Sequence, residues 1–483
     1  MKNTPQEFEA IVQAILPALV GFLDDNMTGN GKVLRQMPAT DLAKSMDVDH
    51  WIKNGGIQPE SAKEFIQTYL ANSQRMHHPR YIGHQVSSSH LASGIADMIH
   101  GVINNAMGIY EMGPSAAVIE GVIVNWMLSK AGWFNGSLSD FNKTEGNGSG
   151  VLTHGGSLAN LTALLAARAV CDPYAWENGN SNDLVVMGSD VAHYSIARAI
   201  SIMGMGKKSL AQVPTDKNEV LLPDELPKVL KRVKEEGKRV MAVVSNACAT
   251  TTGLYDPVEE IGHFCNENGL WYHVDGAHGA SALVSDKYKK YVDKLQHADS
   301  MIWDTHKMLR TTTICAAVLF KNPDHLGAAF KQKGSYLFHE KEQPGFDLMP
   351  YTVECTKAGI ATKLFWVLAA EGEQGLANYY DRQTDLTIDM YHLISEHPDF
   401  ECPYMPESNI ICFRYISGPS DNQFQLKLRN ELIKRGDFYI SSSELKGVRF
   451  LRMTVINALT EMTHIDELLK ELVMIADELK NPQ

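Results

Sequence analysis

Between about residues 100 and 330, short apolar runs typical of buried strands alternate with segments typical of helices. This alternation predicts a parallel sheet, because parallel strands must be joined by crossover connections, which are usually helices. Five of the apolar runs end in polar or glycine-rich residues. In open α/β sheets, ligands bind outside the carboxyl ends of the strands. The pattern therefore predicts an α/β domain in which five polar strand ends meet in one cleft.

Two of these strand ends carry residues suited to covalent chemistry. Residues 298–307 form an apolar run that ends on His306 and Lys307. A partly desolvated lysine amine at a strand end can act as a nucleophile toward a carbonyl group. Residues 270–279 form a second run, in which Asp275 is followed by small residues. A lysine and an aspartate at strand ends match two needs of pyridoxal phosphate, a Schiff base partner and an acid for the pyridinium nitrogen.

The other three strand ends carry groups suited to a phosphate and a flat ring. Gly156 and Ser157 precede an alanine- and leucine-rich helix, where free backbone N–H groups can bind a phosphate dianion. His193 follows the next apolar run, and its imidazole could stack on a cofactor ring. Thr250 adds a hydroxyl group after the third run. Each signal alone is more often a loop, a cap or a structural histidine, and the combination favours a cofactor site.

The order of these motifs resembles the group II pyridoxal phosphate-dependent amino-acid decarboxylases. That family includes the glutamate, cysteine sulfinate, aspartate, aromatic amino-acid and diaminobutyrate enzymes. The likeness runs from about residue 77 to residue 366, and its motifs are Thr-His-Gly-Gly-Ser-Leu-Ala-Asn at 153–160, Asp-Val-Ala-His-Tyr-Ser at 190–195, His-Val-Asp-Gly-Ala-His-Gly at 273–279 and Ala-Asp-Ser-Met-Ile-Trp-Asp-Thr-His-Lys at 298–307.

The resemblance implies an α/β protein of the pyridoxal phosphate fold-type I, with a mainly parallel seven-stranded sheet and helices on both faces. Residues 1–100 are expected to form an N-terminal helical segment that packs on the partner subunit. Residues 101–365 are expected to form the large cofactor-binding domain, and residues 366–483 a small C-terminal α+β domain. The expected assembly is a homodimer with the active site at the subunit interface.

Roles for individual residues also follow from the resemblance. It implies that Lys307 forms the Schiff base, that Asp275 faces the pyridinium nitrogen and that His193 stacks on the ring. Tyr336 matches a loop tyrosine that the family uses to protonate the reaction intermediate. These four residues are the expected catalytic residues, and the further cofactor contacts that the resemblance implies are Gly156, Ser157, Thr250, Ala277 and His306.

The chain departs from the family pattern on the substrate side of the expected site. Where the glutamate branch has Cys-x-Arg, with an arginine that binds the substrate carboxylate, this chain has Cys355-Thr356-Lys357. Lysine keeps the positive charge but lacks the bidentate fork of arginine. His84 lies where the glutamate branch has a pocket glutamine. We therefore expect His84 and Lys357 to contact the substrate.

The predicted function is that of a carboxy-lyase that releases CO2 and a primary amine from a small acidic amino acid, such as glutamate, aspartate or cysteine sulfinate. Decarboxylation of diaminobutyrate or of an aromatic amino acid is the alternative. A carbon–carbon lyase is another, because the phosphorylated sphingoid-base lyases share Asp-Thr-His-Lys. Tyr336 argues against an oxygen-using aldehyde synthase. The presence of Lys307, Asp275 and His193 argues against a regulatory protein that has lost catalysis.

Charge and cysteine content are consistent with a cytoplasmic metabolic enzyme. The formal net charge is -13 and basic blocks are absent, so nucleic acid is not an expected partner. Residues 1–22 include Glu7, Glu9 and Pro17 without a basic start, which predicts neither a signal peptide nor a membrane span. The seven cysteines form no Cys-x-x-Cys pair, and the histidines match no zinc motif, so no metal is expected.

Overall fold

The computed structural model describes residues 3–141, 146–330 and 345–481. A seven-stranded sheet lies at its centre, made of β1 (Ser149–Thr153), β2 (Leu184–Ser189), β3 (Leu210–Val213), β4 (Arg239–Asn246), β5 (Tyr272–Asp275), β6 (Ser300–Trp303) and β7 (Ala316–Phe320). The strand order is β1-β7-β6-β5-β4-β2-β3. β7 is antiparallel to both of its neighbours, and the strands from β6 to β3 pair in parallel. The predicted mainly parallel sheet is confirmed.

The helices of the described residues cover both faces of this sheet and extend beyond it. In chain order they are α1 (Pro5–Met27), α2 (Ala39–Ser45), α3 (Val48–Asn54), α4 (Pro59–Ala71), α5 (Leu91–Ile103), α6 (Pro114–Lys130), α7 (Gly156–Cys171), α8 (Ala175–Asn178), α9 (Tyr194–Ile202), α10 (Leu226–Glu235), α11 (Val258–Asn268), α12 (Pro323–Ala328), α13 (Ala361–Glu396), α14 (Asn422–Arg435) and α15 (Met462–Lys480).

Two hydrophobic cores sandwich the central sheet. α7, α9 and α12 pack on one face, and α6, α10, α11 and the first half of α13 pack on the other. β7 shows why the sheet can serve both cores. All five of its residues are buried, with Ala317 and Leu319 in one core and Ala316, Val318 and Phe320 in the other. Successive side chains of a strand point to opposite faces, so a continuous apolar strand is what two covered faces require.

A second sheet lies toward the end of the chain. It is antiparallel, in the order β10-β11-β9-β8, and comprises β8 (Phe400–Glu401), β9 (Ile410–Tyr415), β10 (Ser441–Leu445) and β11 (Val448–Thr454). α14, α15 and the end of α13 enclose a third core with this sheet. α13 spans from the first core to the third, and it kinks at Gly372, where φ is +66°.

An early segment of the chain is hydrogen-bonded to this second sheet. The backbone N–H of Ile82 donates to Tyr439 O at 3.0 Å, and the N–H of Thr454 donates to Ile82 O at 2.9 Å. The segment around Ile82 therefore lies against the strands β10 and β11. This contact brings His84 next to the C-terminal part of the protein.

The N-terminal helices lie outside the two main cores. α1 packs against α4, and α5 packs against α13. Within the described residues, α1 alone is long and apolar enough to cross a membrane by length and composition, a test that signal sequences and the core helices of soluble proteins also pass. From the sequence, no membrane-spanning segment is predicted at residues 1–22. α1 carries Glu7 and Glu9 in its first half and Asp24 and Asp25 near its end.

Candidate active site

The predicted strand ends meet in one cleft of about 630 Å³. The ends of β4, β5 and β6 and the N-terminal turns of α7 and α9 surround it. The sequence-predicted residues that line this cleft are His84, Gly156, Ser157, His193, Thr250, Asp275, Ala277, His306 and Lys307. The structure thus brings together side chains and backbone groups from six separate segments of the chain.

One end of the cleft is formed by the first turn of α7. Gly155 caps this helix with φ at +105°, a backbone conformation that residues other than glycine rarely adopt. Gly156 has no room for a side chain, because a Cβ atom there would lie 2.6 Å from Asp304 Oδ1. Gly156 and Ser157 both line the cleft. The first N–H groups of a helix have no intrahelical partner, so this turn offers donors for an anion.

Lys307 lies beside an acidic group that the sequence analysis did not single out. Its Nζ atom is 3.1 Å from Asp304 Oδ2, and the Lys307 side chain is 17% exposed. His306 Nδ1 lies 2.7 Å from Cys315 O, and its Nε2 lies 3.8 Å from Asp304 Oδ2. Asp304 therefore sits between the lysine, the histidine and the α7 turn. Its Oδ1 atom has no hydrogen-bond partner within the part of the chain that the structure describes.

Asp275 ends β5 at the bottom of the cleft and is 5% exposed. Its Oδ2 atom accepts a hydrogen bond from Asn160 Nδ2 at 3.0 Å, and its Oδ1 atom accepts one from the backbone N–H of Ala277 at 3.2 Å. A buried carboxylate needs such donors, because burial without partners costs several kcal/mol or more. Two hydrogen bonds thus hold the carboxylate at a defined place in the cleft.

His193 is the N-cap of α9 and faces the same cleft. Its Nδ1 atom lies 2.7 Å from Ser195 Oγ and accepts a longer hydrogen bond, at 3.3 Å, from the backbone N–H of Ser195. Burial is the main cause that lowers the pKa of His193 below its ordinary value; the charge of Asp275 opposes this shift and the charge of Lys307 adds to it. The lowered pKa favours the neutral imidazole.

His84 lies on the side of the cleft that faces the second sheet. Its ring centroid is 5.5 Å from that of Tyr439. Burial lowers the pKa of His84, and the nearby charges of Arg452 and Arg429 lower it further. His84 is thus a neutral ring close to two guanidinium groups.

Arg452 is a candidate functional residue that the sequence analysis missed. It lies in β11, is 5% exposed, and its Nη1 atom donates weakly to Ser441 Oγ at 3.3 Å and to Gly83 O at 3.5 Å. Its Nε and Nη2 atoms have no partner among the described residues. The only signal in the sequence was a charged residue inside the apolar strand Phe450-Leu451-Arg452-Met453.

The cleft also contains polar groups that lie within the sequence motifs but were given no role from the sequence. His154 lines it just before the α7 turn, and its Nδ1 atom lies 2.6 Å from Glu354 Oε1. Asn160 and Ser195 line it as well, and both are almost fully buried. Tyr336, the expected loop tyrosine, lies outside the described residues.

The expectation for Lys357 is corrected by the structure. Lys357 does not line the cleft: its Nζ atom is 2.5 Å from Glu120 Oε1, and both side chains are 1% exposed. The ammonium also donates to Leu152 O, and Glu120 Oε1 accepts from Leu152 N at 3.0 Å. Lys357 is thus held in a buried ion pair between α6 and β1, which leaves its charge no freedom to bind a substrate.

Comparison with known proteins identifies the family. The pyridoxal-dependent decarboxylase conserved domain matches residues 59–416, well over half of the chain. The chain belongs to this family. It is therefore a pyridoxal phosphate-dependent carboxy-lyase, as predicted, and the predicted fold-type I architecture is confirmed.

Characterised relatives of this decarboxylase cover nearly the whole chain. Human acidic amino acid decarboxylase GADL1 is 27% identical over 471 residues, which are 93% of this chain and 87% of that protein. The L-2,4-diaminobutyrate decarboxylase of Acinetobacter baumannii is 26% identical over 448 residues, which are 88% of this chain and 85% of that protein. The crystal structure of mouse CSAD in its apo form superimposes with a TM-score of 0.88 at 25% identity and covers 98% of this chain and 99% of that one.

The residues of the cleft fit pyridoxal phosphate. The α7 turn provides N–H donors and a glycine cradle at one end, which suits a phosphate. A buried carboxylate, Asp275, and an amine, Lys307, occupy the same cleft, which suits the pyridinium nitrogen and the aldehyde. A volume of about 630 Å³ is within the range usual for small-molecule sites.

The buried pair of Glu120 and Lys357 generates a stability prediction. Replacing Lys357 with Met should lower the free energy of unfolding by about 3–5 kcal/mol, because Glu120 would remain buried without a counter-charge. The double variant Glu120→Gln with Lys357→Met should recover most of this loss. Urea unfolding followed by tryptophan fluorescence measures both. Lys53→Met, which breaks an exposed pair with Asp49, is the matched control. Equal midpoints for Lys357→Met and this control would contradict the assignment.

Proposed function

We propose that this decarboxylase acts on a small acidic amino acid, such as glutamate, aspartate or cysteine sulfinate. The observation that carries the proposal is the buried guanidinium of Arg452, two nitrogens of which lack a partner among the described residues. Arg452 does not itself line the cleft, but its charge acts on His84, which does. An unpaired buried charge is costly, and a carboxylate is the natural partner of a guanidinium. The acidic amino acid decarboxylase GADL1 and mouse CSAD, both similar over most of the chain, support the same substrate class.

The proposed roles of the cleft residues follow from their positions. Lys307 carries the amine that bonds the cofactor, and the α7 turn binds its phosphate through Gly156 and Ser157. Asp275 pairs with the ring nitrogen, and His193 lies against the ring. Bound pyridoxal phosphate supplies an electron sink for the bond to the departing carboxylate. The chain's own residues hold the reacting groups and keep the Asp275 carboxylate in place through two hydrogen bonds.

Four further contacts complete the proposed site. Thr250, Ala277 and His306 line the same cleft and are proposed to contact the cofactor or the reacting carboxylate. His84 is proposed to face the substrate. It lies close to Arg452, whose charge helps to lower the His84 pKa. A neutral donor beside a cation suits a substrate that carries a second acidic group.

We also propose that the enzyme is a homodimer whose interface includes α5. One side of this helix exposes Leu91, Ile95, Met98, Ile99, Val102 and Ile103, each at least 38% exposed in the single chain. An apolar stripe of this size usually marks an interface. Thr312 donates from its backbone N–H to Ser93 Oγ of α5 at 2.9 Å, and nearby Ile314 lines the cleft. A second copy on α5 would therefore lie beside the active site.

We also propose the expected division of the chain into three parts and a cytoplasmic location for the protein. The kink at Gly372 and the separate third core support a boundary near residue 366 between the large and the small domain. The helices up to α5 support an N-terminal segment of about 100 residues. All seven cysteines are free thiols, four of them buried, which suits a reducing compartment such as the cytoplasm.

The first functional prediction concerns Lys307. The purified enzyme, loaded with pyridoxal phosphate, should release CO2 from at least one small acidic amino acid in a screen of single amino acids. Lys307→Ala should abolish this turnover, because the cofactor loses its attachment and its exchange partner. Lys321→Ala, which changes a lysine bound to Gln296 O outside the cleft, should leave the rate unchanged. CO2 release by Lys307→Ala at the wild-type rate would refute the role.

The second prediction tests the substrate class through Arg452. Arg452→Gln should lower kcat/KM for the preferred acidic substrate about 10- to 100-fold, the loss expected for a hydrogen bond to a charged group. Arg452→Lys should fall in between, because it keeps the charge without the fork. If Arg452 binds the side-chain carboxylate, the loss for diaminobutyrate should be much smaller. Unchanged kcat/KM for every amino acid in Arg452→Gln would show that Arg452 does not bind the substrate.

The third prediction tests the interface. Ile95→Glu with Ile99→Glu should convert a dimer in solution into a monomer, because two charges would be buried in an apolar contact. Light scattering after size exclusion measures the mass. Met474→Glu changes an equally exposed apolar side chain on α15 and should leave the dimer intact. A monomeric wild-type protein, or a dimer that persists in the double variant, would contradict the proposal.

A further inference from the structure

A chain of hydrogen-bonded side chains runs from the protein interior to the cleft. Trp271 Nε1 lies 3.0 Å from Ser300 Oγ, and Ser300 Oγ lies 2.8 Å from His273 Nδ1. His273 Nε2 lies 2.9 Å from Asn160 Oδ1. Asn160 Nδ2 then reaches Asp275, the carboxylate proposed to face the cofactor ring.

The chain branches at Asn160. Its Nδ2 atom lies 3.0 Å from Asp275 Oδ2 and 2.9 Å from Ser195 Oγ. Ser195 Oγ in turn lies 2.7 Å from His193 Nδ1. One amide therefore contacts both the proposed partner of the ring nitrogen and the support of the histidine proposed to lie against the ring.

Strand alternation explains why these side chains meet. Tyr272 and Val274 of β5 point into the core on one face of the sheet, so His273 and Asp275 point to the other face, toward α7. Ser300 is the register partner of His273 on β6. Asn160 lies in the first turns of α7, directly above this face.

The direction of each hydrogen bond follows from the two ends of the chain. The indole N–H of Trp271 can only donate, so Ser300 Oγ accepts from it and gives its own proton to His273 Nδ1. The proton of neutral His273 then lies on Nε2 and is donated to Asn160 Oδ1. This orientation turns the Asn160 amide N–H groups toward Asp275, whose ionised carboxylate can only accept.

The second branch defines the proton position on His193. The backbone N–H of Ser195 donates to His193 Nδ1, so this nitrogen is an acceptor and neutral His193 carries its proton on Nε2. Ser195 Oγ accepts from Asn160 and donates its hydroxyl proton to the same Nδ1.

We propose that His273 and Asn160 are positioning residues that hold the Asp275 carboxylate and orient the Ser195 hydroxyl that donates to His193 Nδ1. This inference rests on the roles proposed above for Asp275 and His193. Neither His273 nor Trp271 lines the cleft, so His273 acts through Asn160 and touches neither cofactor nor substrate.

The surroundings keep this chain in one protonation state. His273 is fully buried, and burial lowers its pKa to about 4. A neutral imidazole has one donor and one acceptor nitrogen, which is what a directional chain needs. Without the His273 donor, Asn160 Oδ1 would lose its hydrogen bond. The amide would then be held only through Nδ2, which would loosen its hydrogen bonds to Asp275 Oδ2 and Ser195 Oγ.

The test compares His273→Phe with the conservative variant His273→Gln. Phenylalanine fills the space without a donor, whereas the glutamine amide can replace the Nε2–H donor. In His273→Phe, we expect the affinity for pyridoxal phosphate and kcat each to fall about tenfold, with KM nearly unchanged. His273→Gln should retain most of both values. Titration of the cofactor-free enzyme with pyridoxal phosphate measures the affinity without any substrate.

Nitrogen-15 NMR of histidine-labelled, cofactor-loaded enzyme reads the His193 tautomer directly. The His193 signals are assigned by their loss in His193→Gln. The wild type should show a bare Nδ1 and a protonated Nε2, and the Nδ1 resonance should move in His273→Phe and Asn160→Leu, because the Ser195 hydroxyl that donates to this nitrogen is then less firmly oriented. This readout stays informative even if the enzyme proves to prefer a non-acidic amino acid.

Tyr272→Phe is the matched control. It removes a buried hydrogen bond, between Tyr272 Oη and Ser245 Oγ, from the same strand on the opposite face. Cofactor affinity and a His193 Nδ1 resonance in His273→Phe that match those of this control would show that His273 only fills the core, and would overturn the proposal. If His273→Phe does not fold, Ser300→Ala removes the proton donor to His273 Nδ1 together with the acceptor of the Trp271 N–H, and it must shift the same two readouts.

Discussion

The buried carboxylate of Asp275 is the constraint on which the arrangement of the active site depends. A carboxylate at the end of a buried strand must be surrounded by donors, and two donors come from different parts of the chain. The Ala277 N–H comes from the turn that follows β5, and the Asn160 amide comes from α7. Satisfying this one group therefore sets the path of the chain after β5 and the position of α7 on the sheet. The same helix presents its N-terminal turn to the cleft, so the anion-binding end and the carboxylate are placed together.

Two close contacts make the region around α7 rigid. Gly156 approaches the Asp304 carboxylate so closely that no side chain fits between them. On the other side of β1, the buried pair of Glu120 and Lys357 is bonded to both backbone groups of Leu152, just before the α7 turn. Buried ion pairs add little net stability compared with apolar packing, but losing one partner is costly. Such a pair keeps the strand and the turn in one arrangement, which a cofactor site needs.

The two sheets contribute different residues to the proposed site. The central sheet supplies the groups for the reaction at the ends of β4, β5 and β6. The second sheet supplies Arg452, and the segment around Ile82, hydrogen-bonded to that sheet, supplies His84. The groups proposed to carry the reaction therefore come from the part of the chain with recognisable motifs. The groups proposed to select the substrate come from a contact between the two ends of the chain.

The sequence by itself determined the sheet, the cleft and most of the residues that we propose to contact the cofactor. Those features depend on local patterns: apolar runs, their polar ends and the glycine turn before α7, and parallel strands place their ends at one edge. Only the tertiary structure decided the fate of Lys357 and the positions of Arg452, Asn160 and His273. The positive charge of Lys357 suits an acidic substrate. Its partner Glu120, however, lies 237 residues away in the sequence and forms a buried ion pair with it. His273 and Asn160 are 113 residues apart, and they meet because strand alternation and helix packing place them on the same face. Contacts at such separations leave no local pattern, since they are set by which surfaces pack together when the chain folds.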